Sequence, residues 1–203
     1  MLYSIYSESF KKNDINRGVI NFSTGLNTVV GTNNAKNSIG KTTFLLILDF
    51  IFGGDDYITN SDNTIEELGH HEFKFTFKFN NINYIFLRST EIPNKVICLS
   101  NNLEQEELSI VEYRNFLQKK YNIVSLSFRE LVSGQFRIYN RENHYEKEPL
   151  KTHKSEKKEK SIERLIKIFK KFEPISNVRN NYNLVNSKIQ ALKSSSKFNF
   201  LYI

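Results

Sequence analysis

The sequence predicts an α/β fold in which an antiparallel β-meander backs a buried helix, followed by C-terminal helices that begin a coiled coil. Three observations carry this. His71 to Phe79, "HEFKFTFKF", alternates strictly, with Phe73, Phe75, Phe77 and Phe79 on one face and Glu72, Lys74, Thr76 and Lys78 on the other, the pattern of a half-buried antiparallel strand. Lys41 to Phe52 is apolar all round apart from Asp49 and ends at Gly53-Gly54, so it reads as a helix buried against a sheet. Val178, Tyr182, Val185, Ile189 and Leu192 recur at steps of four, three, four and three, a seam of two heptads.

The remaining elements follow in order. Leu2 to Phe10 alternates loosely and breaks at a polar turn over Lys11 to Arg17; "GVINF", the turn Ser23-Thr24-Gly25 and the strand "LNTVVG" ending at Gly31 come next. After Phe79 the chain turns at Asn80-Asn81 and returns as "INYIFLRST", and "KVICLS" adds a third strand. Glu112 to Lys120 reads as an amphipathic helix, and "IVSLSF" as a short strand or the extended entry to another helix. "SIERLIKIFKKF" sets Ile162, Leu165, Ile166, Phe169 and Phe172 on one helical stripe, with Ser161 as N-cap and Pro174 as the interruption. The predicted division is 1–150 as the main lobe, 151–173 as a basic amphipathic helix and 174–203 as the truncated start of a coiled coil.

Composition narrows the classes. With 203 residues, 39% of them hydrophobic, the chain is sufficient for a packed core and is not disordered. Its single cysteine, Cys98, excludes an internal disulfide and suits a reducing, cytoplasmic setting. No run approaches the roughly 20 apolar residues of a membrane span, and the start shows no secretory signal. The formal charge of +7 is concentrated in Lys151 to Lys171, where nine Lys or Arg face three Glu. That stretch could meet nucleic acid phosphates or serve as a solvated face.

The chemistry centres on "NNAKNSIGKTTFLLILDFIF". A strand, a polar loop and a helix opening with Gly-Lys-Thr form the context of a phosphate-binding loop, whose backbone amides and helix N-terminus favour anions. In this reading Asn37, Ser38, Ile39, Gly40, Lys41, Thr42 and Thr43 cradle the phosphates. Lys41 reaches the β- and γ-phosphates, and the Thr42 hydroxyl ligates Mg²⁺. The front of the motif departs from the usual spacing, since Ala35 occupies the place of the first glycine: either Ala35 tolerates the needed backbone geometry or, more economically, the loop is lengthened and Gly31 takes the turn.

"INFSTGLNTVVGTNNAKNSIGKTTFLLILDFIFGG" resembles the N-terminal head lobe of the SMC/RecN/RecF class of ABC-type ATPases, and "KNSIGKTT" resembles a branch with a lengthened "NSIGKS" loop. The resemblance follows element order over residues 1 to 192. It implies a P-loop NTPase, ABC-type N-lobe that binds ATP with Mg²⁺, pairs with a C-terminal ATPase lobe or a second ATPase head, and acts in DNA repair, chromosome maintenance or mobile-element defence, with DNA as a possible partner. It also implies a downstream glutamine touching Mg²⁺. Gln135, 94 residues after Lys41, is the candidate. "LVSGQ" looks like the family signature, but no apolar run ending in Asp-Glu follows it. Signature, Walker B, D-loop and switch His lie on the C-terminal lobe in this family, and this sequence holds none, so hydrolysis by this chain alone is not expected. The alternative is a non-enzymatic protein- or DNA-interaction module with a vestigial loop. A small P-loop kinase fits less well, because the Phe-rich meander is antiparallel and no later strand supplies a metal-binding carboxylate.

Other constellations are weak. His70 and His71 would face opposite ways on a strand and cannot share one metal. Cys98 reads as core. Arg88 could face nucleotide or DNA but reads better as an exposed strand end. Asp55-Asp56 and Glu66-Glu67 are carboxylate pairs only in spelling.

Overall fold

The structure, a computed structural model, describes residues 1–12, 14–29, 40–60, 64–99, 105–137, 142 and 147–197. Its centre is a six-stranded antiparallel sheet in the order β4-β1-β5-β6-β7-β8, made of β1 (Leu2–Tyr6), β4 (Ile20–Asn21), β5 (Glu72–Phe79), β6 (Ile82–Ser89), β7 (Lys95–Leu99) and β8 (Gln105–Ser109). The Phe alternation places β5 as expected: Phe73, Phe75 and Phe77 are buried, whereas Glu72 and Lys74 are exposed. Asn80 and Asn81 both take positive φ, 48° and 63°, the geometry of a two-residue hairpin turn whose twist matches the strands. The β5–β6 register therefore runs without a slip from Glu72↔Ser89 to Phe79↔Ile82.

One face of the sheet is covered by α1 (Lys41–Ile51) and α4 (Ile110–Lys120). Phe50 meets Phe73 at 5.9 Å and Phe52 meets Phe77 at 5.2 Å between ring centroids, while Tyr113 and Phe116 of α4 lie 5.2 Å and 5.5 Å from Phe86. These edge-on aromatic contacts make the interior. Short helices α2 (Asp56–Asn60), α3 (Thr64–Leu68) and α5 (Phe128–Ser133) fill the margin, and α6 (Lys158–Ile168) and α7 (Phe172–Lys197) follow. The fold is thus α/β, with a six-stranded antiparallel sheet and C-terminal helices.

Several expectations are corrected. The polar turn over Lys11 to Arg17 contains a two-stranded ladder, β2 (Lys11–Lys12) with β3 (Ile15–Asn16). "LNTVVG" is not a strand in its described part. Leu26 to Val29 is neither helix nor strand, with Leu26 88% and Val29 57% exposed. Its residues have strand propensity, but the Asn27 side chain accepts from the Ser23 N–H at 2.9 Å and donates back to the Ser23 carbonyl at 2.9 Å. That closes a local turn in place of a ladder. Strand β8 has no apolar pattern to announce it; its acidic residues pair through the backbone with β7, Ile97 against Glu107 and Cys98 against Glu106.

"IVSLSF" is the extended entry to α5. Ser127 accepts the Glu130 N–H and Glu130 bonds back to the Ser127 N–H, closing a capping box. Ser161 is not the cap of α6. It lies within the helix, donating to Glu156 at 3.0 Å, and Lys157 holds the N-cap position. The break between α6 and α7 comes at Lys170, φ 56°, before Pro174. Pro174 sits in the first turn of α7, where its missing N–H costs nothing.

Candidate functional site

Helix α1 starts where the phosphate loop should end. Gly40 is its N-cap, with φ −103° and no side-chain cap, and the first turn holds no acidic residue. The first amides of a helix lack internal partners and carry its positive dipole end, so this N-terminus is bare and electropositive. Lys41 adds a second positive charge there. It is exposed, and among the described residues no carboxylate pairs with it. Thr42 and Thr43 are half-buried beside it. Among the described residues, a Cβ built on Gly40 meets nothing within 4 Å. Asn37, Ser38 and Ile39, with Gly31 and Ala35, lie outside the described residues.

The other end of α1 is compensated in full. Five successive carbonyls, from Phe50 to Gly54, each accept from a side chain. Arg88 donates to Phe50 O and to Gly54 O (2.9 Å), Tyr113 to Ile51 O (2.7 Å), Arg129 to Phe52 O (3.2 Å) and Arg114 to Gly53 O (2.6 Å). Ile51 O and Phe52 O are orphan acceptors of the helix C-terminus, Phe50 O also accepts from the Gly53 N–H, and Gly53 O and Gly54 O lie just past the helix. Three of the four donors are cations placed against its negative dipole end.

Arg88 is fully buried, contrary to its reading as an exposed strand end. Its guanidinium also pairs with Asp55 at 3.1 Å, donates to Pro93 O, and stands 3.7 Å from the centroid of the Phe50 ring. Burial lowers its pKa to about 10, against the pull of Asp55 in the other direction, so it stays cationic at neutral pH. Asp55 bridges on to Arg114 at 3.1 Å, and Asp49, the polar interruption of α1, is fully buried and paired with Arg129 at 2.8 Å. Burial drives the Tyr113 phenol well above its ordinary pKa, fixing it as a donor.

Gln135 is exposed just past α5, and no hydrogen bond joins it to Lys41 or Thr42. Its neighbour Phe136 packs on Phe52 at 5.9 Å, at the C-terminal end of α1. His70 and His71 bond different partners: His71 Nε2 is 2.8 Å from the Tyr57 hydroxyl and His70 Nδ1 is 3.3 Å from Thr90 Oγ1. Cys98 is half-buried, and burial followed by the charge of Glu106 raises its thiol pKa. Among the described residues no three His, Cys, Asp or Glu side chains group as metal ligands, and no helix is long and apolar enough to cross a membrane.

A cleft of about 270 Å³ opens between α5 and α6, away from Lys41, and is lined by Arg129, Glu130, Glu156, Lys160, Arg164 and Lys167. It is a seam of ion pairs. Glu156, buried, pairs with Arg164 and accepts from Ser161 and the Thr152 N–H. Burial alone would raise its pKa, but these donors together hold it below the ordinary carboxylate value. Hydrogen bonding from the Ser127 backbone, then the nearby Lys167 and Lys160, likewise lowers Glu130. Three of these cations are taken by carboxylates, Arg164 by Glu156, Lys167 by Glu163 and Arg129 by Asp49, so the cleft is a poorer phosphate site than the N-terminus of α1.

The chain matches no protein-family model, no curated protein and no solved structure.

Proposed function

We propose that this chain is the ATP-binding N-terminal part of an SMC-like, ABC-type P-loop ATPase, with an N-lobe that binds Mg²⁺-ATP at the start of α1. The observation that carries the reading is the electropositive N-terminus of α1, opening with Gly40-Lys41-Thr42, with no side-chain cap on Gly40 and no acidic residue in the first turn. Because Arg88, Arg114 and Arg129 neutralise the negative end of the helix, the positive end remains as the uncompensated pole, and an anion there gains the most. The described residues fit a phosphate group. Lys41 would hold the β- and γ-phosphates and Thr42 a metal-bound position, with Asn37, Ser38, Ile39 and Thr43 completing the cradle and Gln135 brought in by closure. Bound Mg²⁺ would screen the phosphate charge.

Hydrolysis needs a carboxylate to orient water, and in this proposal it comes from a C-terminal ATPase lobe or a second ATPase head. Leu26 and Val29, apolar and 88% and 57% exposed, offer such a lobe a contact surface. The complete assembly would serve DNA-related work.

Calorimetry of Mg²⁺-ATP with the full chain tests this. Lys41→Ala removes a charge-assisted contact, and the expected loss is about tenfold to a hundredfold in affinity. Gly40→Ala meets no protein atom, so it should leave the melting temperature unchanged while its Cβ intrudes on the phosphates and weakens binding. A folded chain that binds nothing, or a Lys41→Ala variant with unchanged affinity, overturns the reading. A second reading, a non-enzymatic interaction module, is then favoured by the apolar surface of α7.

A further inference from the structure

Helix α6 is rotated away from the orientation its apolar stripe suggests, leaving Leu165 and Ile166 only half-buried. Its buried residues are Ser161 and Arg164, held by Glu156, while Ile162, Ile168 and Phe169 are exposed. Helix α7 carries a longer apolar stripe. None of its 26 residues is buried, and Val178, Tyr182, Val185, Ile189 and Leu192 are 41% to 70% exposed. With Ile175 they occupy successive a and d positions over about 25 Å of helix. An apolar stripe of that length marks an interaction surface.

The charges beside the stripe select its occupant. Of the flanking e and g positions, Arg179, Lys188 and Lys193 are basic, Asn181 and Asn186 are neutral, and none is acidic. Arg179 reaches Glu163 of α6 at 2.6 Å; among the described residues Lys188 and Lys193 have no such partner. Two parallel copies of α7 would set Lys188 against Lys193 of the other copy, and antiparallel copies would also oppose only basic or neutral residues. Self-pairing is therefore disfavoured. Within the described chain no other helix fits: α3 has two glutamates but only five residues, and α4 is committed to the core. A membrane-surface helix would need a broad apolar face, whereas this seam of a and d positions is widened only by Leu184, 55% exposed, and is flanked by Asn181, Asn183 and Asn186.

We propose that the seam of α7 docks one acidic amphipathic helix of a partner protein, with apolar residues at a and d and Glu or Asp at the flanking positions. The inference is independent of nucleotide binding at α1.

The test uses the full chain and two labelled three-heptad peptides, both with Ile at a and Leu at d, one with Glu and one with Lys at e and g. Fluorescence anisotropy should give a dissociation constant at least about tenfold lower for the Glu peptide, with the gap narrowing as salt rises. Val185→Asp should abolish that binding without moving the melting temperature, since the side chain is exposed. Ser187→Asp, on the far side of the same helix, should retain it. Equal affinity for the two peptides, or failure of the Glu peptide to bind a folded chain, overturns the proposal. So does concentration-dependent self-association lost on Val185→Asp, which would make a second copy the occupant. Binding to phosphatidylserine vesicles lost in the same variant would put a membrane there instead.

Discussion

Replacing Arg88 by Met keeps the bulk of the side chain's stem and deletes its donors. Gly54 O and Pro93 O lose the side-chain donors that serve them, at 2.9 Å and 2.6 Å. Phe50 O is better protected, because it also accepts from the Gly53 N–H at 2.8 Å. Each buried acceptor left unsatisfied costs about 1–3 kcal/mol. Against this, removing a buried guanidinium recovers part of its desolvation, and Asp55, 55% exposed on its side chain, can be solvated by water. The balance is a loss of about 3 kcal/mol, a large share of the 5–15 kcal/mol typical of a domain. Arg88→Lys should lose nearly as much, because an ammonium cannot span Phe50, Gly54, Pro93 and Asp55 as the planar fork does. Urea denaturation followed by circular dichroism measures both. A loss below about 1 kcal/mol for Arg88→Met would refute the argument that this side chain closes the end of α1.

Two further outcomes follow from the same region and its neighbour. A Cβ on Gly54 would lie 1.8 Å from Asp49 Oδ2 and 2.8 Å from Arg129 Nη2, so Gly54→Ala must break a largely buried ion pair, and a loss of about 2–4 kcal/mol is expected in the same denaturation assay; a neutral result would mean the pair relocates freely. For Glu156, the folded pKa lies below the unfolded one, so its contribution is complete above about pH 4.3 and is lost as pH falls through the folded value. Melting temperatures of the wild type should drop more steeply than those of Glu156→Gln across that acid window, and parallel profiles would remove Glu156 from the explanation.

What the sequence makes legible here is periodicity and turn chemistry. The four phenylalanines of β5, the Asn-Asn hairpin and the apolar helix after Lys41 are each dictated within a few residues of themselves. Arg88 was readable too. Counting by twos from Tyr84 and Phe86 puts it on the inner face of β6, and the buried Asp49 announces that cations must reach α1. What the local pattern could not supply is the identity of those partners, since Arg114 and Arg129 lie 61 and 80 residues from the groups they serve. Strand β8 was invisible because its residues are acidic and only the backbone pairs. Leu26 to Val29 has strand composition, yet a strand exists only beside another, and the side chain of Asn27 offers a nearer bond. The orientation of α6 was hidden for a related reason: a buried Glu156–Arg164 pair outweighed the apolar stripe, and that competition is decided by residues outside the helix.

Helix α1 is fastened far more firmly at one end than at the other. Its last turn is bolted through Arg88 to β6, through Arg114 and Tyr113 to α4, and through Arg129 to α5. Among the described residues, by contrast, no side chain caps Gly40, and the first turn leans on the sheet edge through the stacking of Phe44 on Phe22 at 6.4 Å. Such a helix behaves as a cantilever. A push or pull delivered at Lys41 is carried along a stiff rod and divided among a strand and two helices at once, so an event confined to the first turn is felt across the whole sheet.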